Sequence, residues 1–175
     1  MFLDGKLSGD DVRNGTRTLG DTAGIYECPE AVTESRKAEV VYSVSSYLPE
    51  PEGTEGGLYF GVTAIEPGLV GDEYFMTKGH FHSRVGTAEF YWGIEGEGVL
   101  ILMDGDRNVC GENIAPGSLH YIPGGIAHRV ANTGDIPLVF GACWPSDAGH
   151  DYGTIEKDGF AARLKRVDGL IKLVK

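Results

Sequence analysis

Three histidines and one glutamate stand at the spacing of a metal site built on β-strands. His80 and His82 are two residues apart, Glu89 follows them, and His128 lies further along the chain. Side chains at i and i+2 of an extended strand point to the same face, so His80 and His82 can offer two nitrogens to one ion. Imidazole is softer than the oxygen ligands that calcium and magnesium prefer. The pattern therefore predicts a site for a divalent transition metal, which can also keep positions open for a substrate.

The residues around these ligands resemble the two sequence motifs of the cupin superfamily. The segment Gly117 to Asn132 fits the second motif, G-x5-P-x-G-x2-H-x3-N, at every fixed position, and Glu89-x6-Gly96 fits the end of the first. Six residues separate His82 from Glu89, where the usual cupin pattern has fewer. That longer spacer is typical of the cupin-type phosphoglucose isomerases, and the segments 54–57, 71–80 and 145–155 resemble the same family.

This resemblance, which covers residues from about 54 to about 160, implies both a fold and an activity. The implied fold is all-β, a cupin double-stranded β-helix, or jelly-roll barrel, with an N-terminal extension. The implied activity is metal-dependent aldose–ketose isomerisation between glucose 6-phosphate and fructose 6-phosphate, as in glycolysis and gluconeogenesis. One divalent metal per chain is implied, with Fe²⁺ as the first choice and Zn²⁺, Mn²⁺ and Ni²⁺ left open.

The distribution of glycine independently favours an all-β fold. The chain has 27 glycines, which cluster with Pro, Asn and Asp between short apolar runs, as in a fold with many tight turns. Helical periodicity of any length is missing, and many short strands predict a double-sheet jelly roll. The predicted strands cover residues 38–47, 57–65, 74–81, 87–94, 98–103, 109–114, 118–122, 128–132 and 138–144, and a last hairpin turns at Asp168 and Gly169.

Chain length predicts one domain. A chain of 175 residues can bury a core without disulfides or a structural metal, so a bound metal is expected to be functional. We expect a single cupin domain over residues 1–175, with an irregular N-terminal wrap over about 1–36 and the barrel and terminal hairpin over about 38–175. Cys28, Cys110 and Cys143 are widely scattered, which favours reduced thiols over a disulfide framework.

The charge of the chain bears on its partners and its location. A formal net charge of -11 and a pI near 4.8 argue against nucleic acid or an anionic membrane surface, because both require a basic footprint. Residues 1–6 lack the apolar run of a signal peptide, and no stretch approaches the roughly 18 apolar residues of a membrane span. These features predict a cytoplasmic protein.

The candidate catalytic residues are Glu89, Tyr91 and His150. Tyr91 shares a strand face with Glu89 and should line the same cavity. Glu89 is the carboxylate closest to the metal, but a metal-bound carboxylate is a weakened base. The resemblance implies that His150 and Tyr152 reach the substrate. Proton transfer through an enediol and a direct hydride shift are both compatible with these residues, whereas His120 matches no motif position and is expected to be structural.

A phosphate group has candidate binding residues, although the chain contains no P-loop or dinucleotide fingerprint. The resemblance implies that Thr63, Thr77, the backbone of Gly79 and Tyr152 hold it. Lys78, Arg84 and Arg129 are candidate local positive charges. Where family members often carry Tyr, this chain has Trp144, so a hydroxyl contact from that position is not expected.

Alternation along residues 89–94 places Phe90, Trp92 and Ile94 on the face opposite the cavity. Such an apolar row requires cover from another sheet of the same chain or from a partner, and we expect a homodimer.

Three alternative functions fit the same residues. One is isomerisation of mannose 6-phosphate, alone or in addition, because mannose 6-phosphate and glucose 6-phosphate differ only in configuration at C2. A cupin dioxygenase also uses three His and one Glu, and a non-catalytic sugar-binding cupin is possible because fold does not set function. Oxygen consumption and turnover of each sugar phosphate would separate these alternatives.

Overall fold

The computed structural model describes residues 2–3 and 5–175. The strands are β1 (Phe2–Leu3), β2 (Lys6–Leu7), β3 (Val12–Thr18), β4 (Val40–Tyr47), β5 (Leu58–Ile65), β6 (Leu69–Val70), β7 (Glu73–Tyr74), β8 (Glu89–Glu95), β9 (Gly98–Met103), β10 (Val109–Ile114), β11 (Leu119–Ile122), β12 (Ala127–Asn132), β13 (Leu138–Pro145), β14 (Arg163–Val167) and β15 (Leu170–Val174). The helices are α1 (Leu19–Thr22) and α2 (Gly153–Asp158), with 3₁₀ turns at Ala23–Ile25, Pro29–Ala31 and Glu34–Arg36. The helices in this part of the chain are too short or too polar to span a bilayer.

Two antiparallel sheets form the barrel. One has six strands in the order β11-β8-β13-β5-β4-β3, and the other has three in the order β10-β9-β12. The buried core joins Ile65 and Phe140 of the first sheet to Leu100 and Val130 of the second, so the sheets pack face to face. A third sheet, β15-β14-β7-β6, carries the terminal hairpin. The predicted all-β class and jelly-roll cupin fold are confirmed.

The hairpin between β9 and β10 and the terminal hairpin lie where turn residues predicted them. The strands 98–103 and 109–114 have the predicted bounds, and Asp104 accepts hydrogen bonds from Asn108 across the turn. Asp168 and Gly169 both adopt positive φ between β14 and β15. Strong turn chemistry fixed these boundaries because it limits where the chain can reverse.

The expectation of an irregular segment over residues 1–36 was wrong for much of its length. Met1 and Asp4 lie outside the described residues, but β3 pairs with β4 from Val12 opposite Tyr47 onward. Thr18 then begins α1 through a reciprocal capping box with Asp21. β3 is an edge strand with mostly exposed side chains, so it needs no alternating apolar pattern. Apolar alternation is the sequence signal by which a half-buried strand is predicted, and β3 lacks it.

The predicted strand over residues 74–81 was also wrong. Only β7 is a strand there, and the following residues make isolated bridges, including His80 to His128 and Phe81 to Asp151. Gly79 interrupts the extended run with a φ of 75°. This break places two metal-ligand candidates on an irregular segment that is held against β12 instead of on a regular strand.

Candidate metal centre and substrate cavity

The four predicted metal ligands lie together in the protein interior. Glu89 is the first residue of β8, His128 lies on β12, and the segment after Gly79 supplies His80 and His82. One possible ligand atom from each side chain lies within 4.8 Å of all the others. His82, Glu89 and His128 are buried, and His80 is half-buried. The β-bridge between His80 and His128 holds the segment after Gly79 against β12.

The free donor atoms of this cluster fit a metal ion. The Nε2 atoms of the three histidines and Oε1 of Glu89 are all buried, and they make no hydrogen bond within the described residues. A buried polar group left without a partner costs on the order of 1–3 kcal/mol. A cation among these atoms would satisfy all four together, and three nitrogens with one carboxylate oxygen suit a divalent transition metal. The cluster is compatible with one metal site.

Backbone carbonyls orient two of the imidazoles toward the centre. Nδ1 of His82 lies 2.8 Å from the Thr87 carbonyl oxygen, and Nδ1 of His128 lies 3.2 Å from that of Ile126. A carbonyl oxygen can only accept, so each Nδ1 must carry the proton in these contacts. Each Nε2 is then left with a lone pair that points at the cluster, as in metal-binding histidines.

The electrostatics of the cluster favour the ligand forms of Glu89 and His80. Burial acts to raise the pKa of Glu89, but His128 and His82 outweigh it and lower that pKa to about 2. Burial, helped by His128 and His150, holds the pKa of His80 well below its usual value. Glu89 is therefore a carboxylate and His80 is neutral at physiological pH, as metal binding requires.

His82 behaves differently from its neighbours. Burial acts to lower its pKa, but the contacts with Glu89 and the Thr87 carbonyl outweigh burial and raise it. A proton on His82 would have to leave before that nitrogen could bind a metal, so metal binding should release protons.

A cavity of about 390 Å³ opens beside the cluster. Antiparallel register forms its wall, because residues directly opposite one another share a sheet face. One row runs through Gly61, Ala142 and Tyr91, and a neighbouring row through Val44, Thr63 and Phe140. All six line the cavity, so the predicted position of Tyr91 agrees with the structure.

The predicted substrate contacts face the same cavity. Thr63, Thr77, Gly79, His150 and Tyr152 all line it. The rings of His150 and Tyr152 stack at 9° with centroids 5.6 Å apart, and the His150 ring lies 4.5 Å from that of His80. His150 is exposed to solvent, yet desolvation by the groups packed around its ring, and then the nearby His82, lower its pKa. The structure thus brings every predicted catalytic and substrate-binding residue to one cavity.

Two of the three predicted local charges do not face the cavity. Arg84 pairs with Asp147 on the exterior. Arg129 stacks 4.1 Å above the ring of Phe160 and donates to the Lys78 carbonyl at 2.6 Å, on the strand face opposite His128. Lys78 alone among the three lines the cavity. The prediction that Arg129 supplies charge to the cavity was wrong. Side chains alternate along β12, so the residue next to the cavity-facing His128 points away from the cavity.

Sequence reasoning missed Arg17 and Tyr42 as cavity residues. Both line the cavity and stand opposite each other on β3 and β4. Arg17 lies in the segment that was expected to be irregular, and no motif marks it. Trp144 also lines the cavity, whereas His120 lies apart and contacts Glu112 and Ser118.

Comparison with known proteins identifies the family. The family model described as Glucose-6-phosphate isomerase (GPI) matches residues 16–172. The chain belongs to the glucose-6-phosphate isomerase family. The matched range extends from β3 into β15, so it includes the whole cluster and the cavity wall.

Members of the glucose-6-phosphate isomerase family from several organisms are similar over most of the chain. The glucose-6-phosphate isomerase of Thermococcus kodakarensis is 43% identical over 159 residues, which cover 90% of this chain and 83% of the relative. That of Pyrococcus furiosus is 39% identical over 167 residues, with 94% and 87% covered. A putative glucose-6-phosphate isomerase 2 of Rhizobium meliloti is 38% identical over 170 residues, with 95% and 84% covered.

Solved structures with a related shape include an oxalate decarboxylase. The structure from Bacillus subtilis at pH 4.6 aligns with a TM-score of 0.48 and 23% identity, and it covers 62% of this chain and 26% of that one.

Proposed function

We propose that this protein is a metal-dependent isomerase that interconverts glucose 6-phosphate and fructose 6-phosphate. The observation that carries the proposal is the convergence of four unsatisfied ligand atoms beside a cavity lined by hydroxyl groups. A volume of about 390 Å³ suits a small ligand. Relatives named glucose-6-phosphate isomerase, similar over most of the chain, support the choice of substrate.

We further propose that His80, His82, Glu89 and His128 hold one divalent metal per chain, with iron as the native ion. Zinc, manganese and nickel accept the same donors, so metal analysis of the purified protein has to identify the ion. A bound ion would polarise the sugar oxygens on C1 and C2, which favours movement of hydrogen between these carbons.

His150 is the protein group best placed to move a proton during this reaction. It lies outside the four-residue cluster yet faces the cavity, and its lowered pKa keeps it neutral and able to accept a proton near pH 7. Glu89 is a poor base by comparison, because its pKa of about 2 leaves little affinity for a proton. Incorporation of solvent deuterium at C2 would favour proton transfer through His150, whereas its absence would favour a direct hydride shift.

Tyr91 is proposed to orient the reacting end of the sugar. It is buried, and its pKa is raised well above the usual value by burial and then by the charge of Glu89. The phenol therefore stays protonated and can act as a hydrogen-bond donor throughout the working pH range. Its ring lies 5.6 Å from that of His128, close to the cluster.

The phosphate end of the substrate is assigned to Thr63, Thr77, Gly79 and Tyr152. Oγ1 of Thr77 accepts the backbone N–H of Val130 at 3.1 Å, which leaves its own hydroxyl proton free to donate. Gly79 brings the backbone close to the cavity in a conformation that L side chains rarely adopt. These groups give directed hydrogen bonds without charge.

A homodimer is proposed through the outer face of the six-stranded sheet. Leu119 is 66% exposed, Tyr121 58% and Phe90 45%, and the Phe90 and Tyr121 rings lie 5.3 Å apart. Trp92 is partly covered within the chain by Phe60 at 5.1 Å. A contiguous apolar surface of this kind favours burial against a second copy.

A coupled assay tests the proposed activity. Glucose 6-phosphate formed from fructose 6-phosphate is followed with a dehydrogenase, using protein as purified, after chelation and after restoration of each metal. We expect activity that disappears on chelation and returns with at least one divalent ion. Absence of turnover with every metal would reject the proposal, and a parallel assay with mannose 6-phosphate measures substrate selectivity.

A further inference from the structure

The edge strand β3 supplies part of the cavity wall. Its register places Arg17 opposite Tyr42 and Gly15 opposite Val44, and all four residues line the cavity. Alternate residues of a strand share one face, so Arg17 lies on the inner face of the sheet although its side chain is exposed to solvent. A cation from the N-terminal segment thus reaches the same space as the metal cluster.

A second cation lies next to Arg17. The backbone of Lys78 lies close enough to the Tyr42 hydroxyl to act on its pKa, and Lys78 itself lines the cavity. Lys78 directly precedes Gly79, and its carbonyl is fixed by Arg129 at 2.6 Å. The two cations therefore reach the cavity from two different walls that meet at Tyr42.

Neither cation has an acidic partner within the described residues. In the part of the chain that the structure describes, five other Lys and Arg side chains form ion pairs with carboxylates, but no described carboxylate oxygen lies within 4.0 Å of the Arg17 or Lys78 side-chain nitrogens. Within residues 2–3 and 5–175, the Arg17 side chain donates only to the Thr16 carbonyl, at 3.0 Å. The charges of Arg17 and Lys78 both help to lower the pKa of Asp21, so this carboxylate lies near them. Its Oδ2, however, already accepts two hydrogen bonds from Thr18. Glu89 and Glu156 line the same cavity, yet neither carboxylate forms an ion pair with Arg17 or Lys78 among the described residues.

Arg17 also lies near the group assigned to the phosphate. Burial has the largest effect on the pKa of Tyr152 and raises it. The positive charge of Arg17 has the second largest effect and lowers that pKa. Thr63 stands opposite Val44, one row along the sheet from Tyr42 and Arg17. The neutral donors and the two cations are therefore neighbours on the same part of the wall.

We propose that Arg17 and Lys78 bind the dianionic phosphoryl group of the substrate and select phosphorylated over unphosphorylated sugars. This inference rests on the proposed function, because it takes the substrate to be a sugar phosphate. Hydroxyls and backbone N–H groups carry no net charge, and the protein as a whole repels an anion. Two unpaired cations offset that repulsion locally, and the planar guanidinium of Arg17 can bind two phosphate oxygens at once.

Charge-removing variants with a matched control test the proposal. The test variants are Arg17→Gln, Lys78→Met and Arg17→Lys, and the control is Arg13→Gln. Arg13 lies on the same strand about 13 Å away, is exposed, and does not line the cavity. The control removes the same charge from the protein without touching the wall. Each variant is first checked for unchanged metal content.

Two readouts are measured on the metal-loaded protein. The first is KM and kcat for fructose 6-phosphate over a range of salt concentrations, and the second is calorimetric binding of inorganic phosphate, which needs no turnover. We expect Arg17→Gln and Lys78→Met each to raise KM about tenfold with little change in kcat, and to weaken phosphate binding similarly. The salt dependence of KM should flatten in both variants, and Arg17→Lys should recover part of the loss.

The outcomes separate this inference from the proposed function. Wild-type phosphate affinity in both Arg17→Gln and Lys78→Met would overturn the inference, as would an equal loss in Arg13→Gln, which would indicate only a global charge effect. If the wild type binds phosphate through Arg17 but does not isomerise fructose 6-phosphate, the anion site stands and the proposed function fails. If the wild type isomerises the sugar and the variants match it, only the inference fails.

Discussion

Nε2 of His128 lies 2.5 Å from Oε1 of Glu89, and both atoms are buried without a hydrogen bond. Nε2 of His82 lies 3.3 Å from the same oxygen. The protein therefore places a carboxylate against two imidazoles at the end of a cavity. A cation between them would replace these poorly satisfied contacts with coordination, so metal binding should stabilise the folded state.

Replacing Glu89 with Gln should therefore remove most of the bound metal, because the amide keeps the shape of the side chain but loses the charge. Metal content is measured by mass spectrometry and thermal stability by calorimetry. The variant should melt at a lower temperature than the metal-loaded wild type and should not respond to chelator. His120→Gln is the control, since His120 contacts Glu112 and Ser118 instead of the cluster and should leave metal content unchanged. Full metal occupancy in Glu89→Gln would exclude Glu89 as a ligand.

Replacing Thr63 with Val should raise KM for fructose 6-phosphate while metal content and fold are kept. Valine retains β-branching and bulk, and a lost hydrogen bond to a charged group costs about 1.5–3 kcal/mol, which corresponds to at least a tenfold rise in KM. Thr16→Val on the exposed part of β3 serves as the control. An unchanged KM in Thr63→Val would place the phosphate elsewhere. Thr77→Val is a less clean change, because it also leaves the Val130 N–H without its acceptor.

Replacing Gly79 with Ala should disturb the metal centre. An added Cβ would lie 2.8 Å from the Phe160 ring and 2.9 Å from Cβ of Arg129, in a backbone conformation with φ of 75°. Relief of this contact would shift His80, so both stability and metal affinity should fall. Gly71→Ala is a matched control, because Gly71 has a φ of 60° but open space around it. It should cost about 1–2 kcal/mol of stability, measured by denaturant unfolding, and keep its metal. Equal metal content in both variants would argue against the contact.

The proposed dimer predicts that Leu119→Asp and Tyr121→Asp yield monomers. A charge on the apolar outer face would be buried without a partner in the interface, which opposes association. Sedimentation velocity at micromolar concentration measures the change. Leu170→Asp is the control, since Leu170 is 61% exposed on the terminal hairpin. A wild-type protein that sediments as a monomer would remove the dimer proposal.

The sequence predicted the strands that have strong local signals. Asp104 and Gly105 lie in the turn between β9 and β10, and Asp168 and Gly169 turn the terminal hairpin, so chain reversal at these points was predictable. β3 escaped prediction because an edge strand exposed to solvent lacks apolar alternation. The irregular segment around Gly79 escaped because its extended residues pair across the barrel one at a time, which depends on distant residues such as His128 and Asp151.

The candidate site was predictable where chemistry and spacing coincide. The spacing of His80 and His82 and the motif around His128 place three ligands, and alternation from Glu89 predicts that Tyr91 faces the cavity. Arg17 was not predictable, because its position depends on pairing between β3 and β4 that no local pattern reveals. The predicted role for Arg129 was wrong because side chains alternate along β12, so Arg129 faces away from the cavity that His128 lines.

The position of β3 at the edge of its sheet links the cavity to local unfolding. β3 has a strand neighbour on one side only, so it can separate from β4 at a lower free energy than the central strands β5 and β13. Such an opening would carry Arg17 and Gly15 away from the cavity while the strands that bear Glu89 and His128 stayed paired. A ligand bound between Arg17 and Lys78 would resist that separation. Amide exchange in residues 12–18 should therefore slow when the cavity is occupied, although these residues do not contact the metal cluster.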